Sequence, residues 1–151
     1  MNNITIYTDG ACRGNQADNN IGANAFYMRF GDHEMISAKF RENTTNNIME
    51  MTAVIEALKH IKRPCKYPIY IYSDSQYVIS GCTTWRYGWE KKKFSGVKNA
   101  SLWKELFRLI DEFPQIHFIK VKGHSGDWGN EQADLLCNLC MDERKNIFER
   151  R

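Results

Sequence analysis

Two short stretches of this chain are near copies of each other: Ile6-Tyr7-Thr8-Asp9 and Ile71-Tyr72-Ser73-Asp74. Each alternates like a strand with one buried face, and each ends on an aspartate. The segment between them carries the spacing of an amphipathic helix, so a crossover connection joins the two strands. Such a crossover is right-handed and sets its strands parallel. The echo therefore predicts neighbouring parallel strands with Asp9 and Asp74 close together towards one end.

The other elements follow from periodicity and punctuation. Residues 21–30 and 35–40 read as strands around Gly31-Asp32, and with residues 4–9 they form an antiparallel meander. Thr44-Thr45-Asn46-Asn47 supplies cap residues for a helix running to about Ile61, with Met51, Val54, Ile55, Leu58 and Ile61 on its apolar face. A short helix from Gln76 to about Ser80 is expected to break at Gly81. Asn99 is expected to cap a helix to about Glu112, which Phe113-Pro114 ends. Residues 116–121 read as the last strand and residues 122–129 as a glycine-containing loop. Residues 130 to about 141 read as a final helix, and the charged tail 142–151 is expected to fray. With 151 residues, 42% of them hydrophobic, the expectation is one domain with a sizeable core.

Four acids share an unusual position. Asp9 and Asp74 end strands, while Glu50 and Asp134 stand in the first turns of helices at the edge of a buried face. An unpaired charge beside a core is expensive, and clustered carboxylates raise one another's pKa values. Divalent cations relieve both costs, and all-oxygen ligation suits Mg²⁺ or Mn²⁺ rather than zinc. Two such ions about 3.5 to 4 Å apart form the clamp used for in-line phosphodiester cleavage. Any one of these acids alone would read as a cap or a solvated group; four together weaken that reading.

Charge and cysteine content narrow the class further. The net charge is only +3, but residues 84–98 hold five positive charges against one negative, interleaved with Trp85, Tyr87, Trp89 and Phe94. That pattern suits contact with a nucleic-acid backbone without sequence reading, although Trp89 would also serve as a core residue on a helix. Five cysteines, an odd number without framework spacing, argue for free thiols in a reducing compartment. Cys137-x-x-Cys140 lacks the second ligand pair of a zinc site. No apolar run is long enough to span a membrane and no secretory signal opens the chain, so a cytosolic location is expected.

The blocks Tyr7-Thr8-Asp9-Gly10, Thr44-Thr45-Asn46-Asn47-Ile48-Met49-Glu50, Tyr72-Ser73-Asp74-Ser75, Val121-Lys122-Gly123-His124-Ser125-Gly126 and Asn130-Glu131-Gln132-Ala133-Asp134 resemble, in this order, the bacterial-type ribonuclease HI family. The resemblance spans nearly the whole chain. It implies an α/β fold of the ribonuclease H-like kind, a mixed five-stranded sheet of three antiparallel strands and then parallel ones, with helices on both faces. It also implies a metal-dependent endonuclease that cleaves the RNA strand of an RNA/DNA hybrid, with two Mg²⁺ ions, or Mn²⁺, bound alongside substrate. Asp9, Glu50, Asp74 and Asp134 match the family's metal-binding acids, and His124 matches the histidine of its mobile loop, which assists proton handling or product release.

For the substrate, the resemblance implies that Asn15, Asn46, Asn47 and Gln76 contact the minor groove, where a short amide reads the 2′-hydroxyl as both donor and acceptor. Thr45 and Asn99 match a pocket for a DNA-strand phosphate, Trp85 an aromatic that packs on a deoxyribose, and Lys91, Lys92 and Lys93 the basic protrusion. That protrusion is shorter than the longest in the family, with 13 residues between Trp89 and Trp103. A stand-alone, monomeric catalytic domain without an obligate protein partner or a membrane is the resulting expectation. Two alternatives remain. A junction resolvase or transposase-like nuclease on the same scaffold would need a dimer helix or a DNA domain that is not evident. A binding module without chemistry would not need all four acids.

Overall fold

The structure is a computed structural model, and it describes residues 2–14, 19–122 and 127–151. Six strands form one sheet in the order β5-β4-β1-β2-β3-β6. Strand β1 (Ile4–Arg13) pairs antiparallel with β2 (Ile21–Phe30), and β2 with β3 (His33–Glu42). The hairpin between β2 and β3 closes from Phe30 to His33 over Gly31-Asp32, with Gly31 at a positive φ of 59°. Beside β1 on the other side lies β4 (Ile69–Ser73), parallel, followed by β5 (Ile116–Lys120), also parallel.

The two echoing strands are in register. Ile6 faces Ile71 and Tyr7 faces Tyr72, so the repeated residues lie side by side and both aspartates emerge at the same end. Helix α1 (Asn46–Lys59) makes the crossover and is capped by Thr45, whose Oγ1 accepts from the Ile48 N–H at 3.1 Å. It buries Met51, Val54, Ile55 and Leu58 against Ile4, Ile6, Phe26 and Met28. On the opposite face α5 (Trp128–Glu143) packs Cys137, Cys140 and Met141 on Ala23, Ala25 and Ala38. Asp127 caps α5 by accepting from the Asn130 N–H at 3.1 Å. Cys137 and Cys140 are fully buried core residues, which answers the metal or redox reading of that pair.

Three expectations about the elements are corrected. First, the helix after Asp74 does not break at Gly81: α2 (Gln76–Ser80) runs through a π-type turn (Gly81–Trp85) into α3 (Arg86–Lys91). Gly81 holds ordinary helical angles, and its lack of a side chain serves packing instead. A Cβ there would lie 2.1 to 2.8 Å from ring atoms of the buried Trp103. Second, Asn99 precedes α4 (Ala100–Ile110) in the left-handed region, φ 60°, and its side chain makes no cap bond.

The third correction concerns the tail and the strand count. Residues 147–150 form β6 (Ile147–Arg150), antiparallel on the outer edge of β3, so the sheet has six strands rather than five. Arg144 at a left-handed φ of 52° turns the chain back after α5. The pairing then continues to Arg151, which exchanges two backbone bonds with Glu34 at 2.8 and 3.0 Å. Ile147 packs on the α5 side, and Phe148 stacks on His60 at the end of α1, 5.4 Å between ring centres. A charged edge strand resembles a loose tail in composition, because both avoid apolar runs.

Deleting residues 145–151 should lower the melting temperature by about 3 to 8 °C, since β6 contributes backbone pairing and two apolar contacts on the order of 1 to 2 kcal/mol. Thermal unfolding followed by circular dichroism reads this, and a deletion that melts with the parent would return the tail to a frayed state.

Candidate active site

The site lies where β4 ends at Ser73, just before Asp74, beside Asp9 in the middle of β1, which runs on to Arg13. Asp9 is almost fully buried, 7% exposed, while Glu50 and Asp74 are half-buried. Each of the three offers a carboxylate oxygen, and these oxygens all lie within 4.8 Å of one another. Glu50 reaches them from the second turn of α1 because Gly10 lets the helix rest directly on β1. A Cβ at Gly10 would fall 2.3 Å from the Glu50 nitrogen and 2.4 Å from the Met49 carbonyl carbon. Asp134, half-buried on α5, stands beside the Asp9 carboxylate and outside the tight group of three.

Aromatic rings support the acids from below. Tyr7 and Tyr72, each two residues before its aspartate, stack with ring centres 4.7 Å apart. Gly129, in the first turn of α5, sits against the Tyr7 ring. Behind Asp9, the Cys137 thiol contacts the carbonyl oxygens of Asp9 and Ala23 at 3.6 Å. Burial, followed by the nearby Asp9 and Glu50 charges, pushes that thiol well above its ordinary range, so it stays protonated as a donor.

The electrostatics of the group are unfavourable by design of its geometry. Burial, then the charges of Asp74 and Asp134, push the Asp9 carboxyl up to about 8. Glu50 is raised well above its ordinary value by burial and then by Asp9 and Asp74. Glu50 Oε1 and Asp74 Oδ1 are buried without a hydrogen-bond partner. Among the described residues, no ion pair involves any of the four acids. The nearby Lys120 ammonium donates to the Asp74 main-chain oxygen at 2.6 Å. Orphaned carboxylate oxygens at this spacing fit a hard divalent cation.

The expected substrate residues fall into two groups around these acids. Asn46 and Asn47 are exposed in the first turn of α1, and with Thr45, Lys98 and Asn99 they line a polar pocket of about 220 Å³. Lys98 is the pocket's cation; the basic tract pointed to it, but only the fold places it opposite a helix N-terminus. Gln76 is exposed just after Asp74 and donates to Ser80 Oγ at 2.8 Å.

Trp85 is 43% exposed and packs edge-on against Tyr77, 6.2 Å between ring centres. Lys91, Lys92 and Lys93 are exposed beyond it. Arg86, by contrast, is held by Glu90 at 2.9 Å and Asp111 at 2.5 Å and lies over Phe107, so it is committed to the fold. Trp89 is half-buried against Trp103 and Phe107 and belongs to the core. Asn15 and His124 lie outside the described residues. A larger hollow, about 550 Å³, lies at the opposite end of β1 beside Ile4, but no carboxylate lines it and it is apart from this chemistry.

Comparison with known proteins identifies the family. The model of the RNase H family matches residues 1–141. The chain is similar to the Ribonuclease H of Clostridium botulinum (strain Hall), 45% identical over 149 residues, covering 95% of this chain and 98% of that one. It is similar also to the Ribonuclease H of Acidovorax sp. (strain JS42), 44% identical over 149 residues, with 95% and 97% covered. Among solved structures, LC9-RNase H1, described as a type 1 RNase H with the type 2 active-site motif, superposes with a TM-score of 0.86. It is 24% identical, the match covers 97% of this chain and 75% of that one, and it supports the shared fold.

The raised Asp9 carboxyl carries a stability consequence with a definite sign. Its pKa is about 8 in the folded chain against 3.8 ordinarily, so its contribution is most favourable below about pH 4 and is lost as pH rises towards 8. In chelator at pH 8, Asp9→Asn should therefore be more stable than the parent by about 1 to 3 kcal/mol, with the gap closing near pH 4. Mg²⁺ should raise the parent's melting temperature at pH 8 more than the variant's. Paired thermal melts test this, and a variant melting at or below the parent at pH 8 contradicts it.

Proposed function

The chain belongs to the ribonuclease H family, an enzyme with ribonuclease activity on RNA/DNA hybrids, and from that premise we propose how its own residues carry the reaction. The observation that supports the reading best is the group of three converging carboxylates with two orphaned buried oxygens. Asp9, Glu50, Asp74 and Asp134 would hold two divalent ions, with Mg²⁺ favoured and Mn²⁺ serving in its place. When bound, such ions supply an activated water and stabilise the leaving oxygen, which for RNA cleavage leaves a 5′-phosphate and a 3′-hydroxyl.

The protein's part is arrangement. Asp9 and Asp74 are held in fixed register by paired strands, and the Tyr7–Tyr72 stack stops the pair from spreading. Asn46, Asn47 and Gln76 stand exposed beside the acids, where amides accept from and donate to a 2′-hydroxyl, the group that separates RNA from DNA. Asn15 takes the same role. His124 handles a proton or assists product release, because an imidazole titrates near neutrality.

The DNA strand is gripped apart from the chemistry. Thr45, Lys98 and Asn99 receive a phosphate at the first turn of α1, Trp85 packs on a sugar, and Lys91, Lys92 and Lys93 add unspecific attraction. We read the protein as a monomer in the cytosol, a single catalytic domain without an obligate partner. Five free thiols accord with a reducing compartment, and among the described residues no helix is long and apolar enough to cross a membrane.

Digestion of RNA/DNA hybrid, duplex RNA, duplex DNA and single-stranded RNA in Mg²⁺, with a chelator control, tests the substrate. Cleavage should be confined to the RNA of the hybrid, and cutting restricted to duplex DNA would turn the reading towards a DNA nuclease. Asp74→Asn should slow hybrid cleavage on the order of 100-fold or more while the fold is retained. Replacing Lys91, Lys92 and Lys93 by Ala should flatten the dependence of log affinity on log salt by about 2 to 3. An unchanged slope would show that these lysines meet only solvent.

A further inference from the structure

Between the exposed Trp85 and the polar pocket stands a residue with no assigned part. Tyr77, half-buried on α2, accepts two hydrogen bonds on its phenolic oxygen: from Asn99 Nδ2 at 3.2 Å and from the indole N–H of the buried Trp103 at 3.3 Å. A phenolic oxygen has two acceptor positions, and both are filled. The same ring carries the edge of Trp85, at 6.2 Å, and packs on Trp103, at 5.1 Å.

Asn99 itself has a conformation that needs support. It sits at φ 60° and ψ 32°, and its side chain makes no bond to the start of α4. The bond to Tyr77 is therefore what orients its amide. With one amide hydrogen committed to Tyr77, the second is left for the pocket that Asn99 lines with Thr45, Asn46, Asn47 and Lys98. Trp103, fully buried and fitted against Gly81, fixes Tyr77 in turn, so the core bears on the Asn99 side chain through the Tyr77 hydroxyl.

We propose that Tyr77 is a positioning residue for the DNA strand, holding the Asn99 amide ready for a phosphate and backing the Trp85 ring that packs on the adjacent sugar. This rests on the hybrid-binding function proposed above. Because the Tyr77 ring supports Trp85 and the hydroxyl supports Asn99, Tyr77→Phe removes the second role and keeps the first.

The test compares Tyr77→Phe, Asn99→Ala and the double variant on an RNA/DNA hybrid in Mg²⁺, below the melting range of each protein. Tyr77→Phe should raise KM about 3- to 10-fold with kcat within about twofold of the parent. Asn99→Ala should do the same, and the double variant should be no worse than Asn99→Ala alone, because the hydroxyl acts through that amide. A parental KM in Tyr77→Phe, or multiplicative losses in the double variant, would overturn the assignment.

A measurement on the unsubstituted protein stands beside this should Tyr77→Phe not fold. In metal-free solution, saturating hybrid should shift the side-chain amide resonances of Asn99, and resonances that do not move would sink the proposal. A parent that neither binds nor cuts hybrid would remove the functional reading and this inference with it. A parent that does both, with unmoved Tyr77→Phe kinetics, would remove only the role of Tyr77.

Discussion

Mutual repulsion among buried carboxylates is the force that the rest of this structure works against. Burial and the crowding of three acids with oxygens inside 4.8 Å of one another, with a fourth beside Asp9, push the Asp9 and Glu50 carboxyls up, and two oxygens are left without a partner. Left to themselves, these side chains would move apart into water. They are kept together because each is mounted on an element whose position is decided elsewhere. Asp9 and Asp74 are fixed by parallel register, Glu50 by a helix seated on Gly10, and Asp134 by a helix seated on alanines. The strain is small beside the burial of the two cores, about 25 cal/mol for each Å² of apolar area, and a cation relieves it.

Grip and chemistry are built from different materials in this molecule. Asp9 and Asp74 stand on β1 and at the end of β4 beside stacked tyrosines, whereas the basic protrusion hangs from the helices after β4 and the pocket lies between Lys98, Asn99 and the first turn of α1. The protrusion is fastened by its own aromatic cluster. Trp89, Trp103 and Phe107 form its root, and Arg86 is locked between Glu90, Asp111 and Phe107. A residue that looks like part of a nucleic-acid surface in the sequence is thus a structural clamp. Lys91, Lys92 and Lys93 are exposed and, among the described residues, make no ion pair.

Much of the fold was legible from periodicity. The meander, the crossover helix and the parallel pair follow from alternation, capping residues and the handedness of connections, all local or near-universal rules. The acids were legible because a charge at the margin of an apolar face is costly and therefore informative. Three features were hidden. Strand β6 was concealed by its charge, since an edge strand needs few apolar residues and takes its partner from 110 or so positions away. Gly81 reads as a breaker from the sequence, but its neighbour Trp103 determines its role. Asn99 is a residue type that caps helices, but its side chain donates to the Tyr77 hydroxyl instead.

From the sequence alone came the two aspartates in register, the helix that carries Glu50, and the demand for cations, because each depends on short-range pattern or on the energetic cost of a single placement. The tertiary structure alone decided which side chains meet across those elements: Tyr77 with Asn99 and Trp103, Lys98 with the first turn of α1, Gly10 with the Glu50 backbone. Such contacts join residues distant in the chain through packing at close range. No periodicity encodes them, since they arise only when the layers have closed on one another.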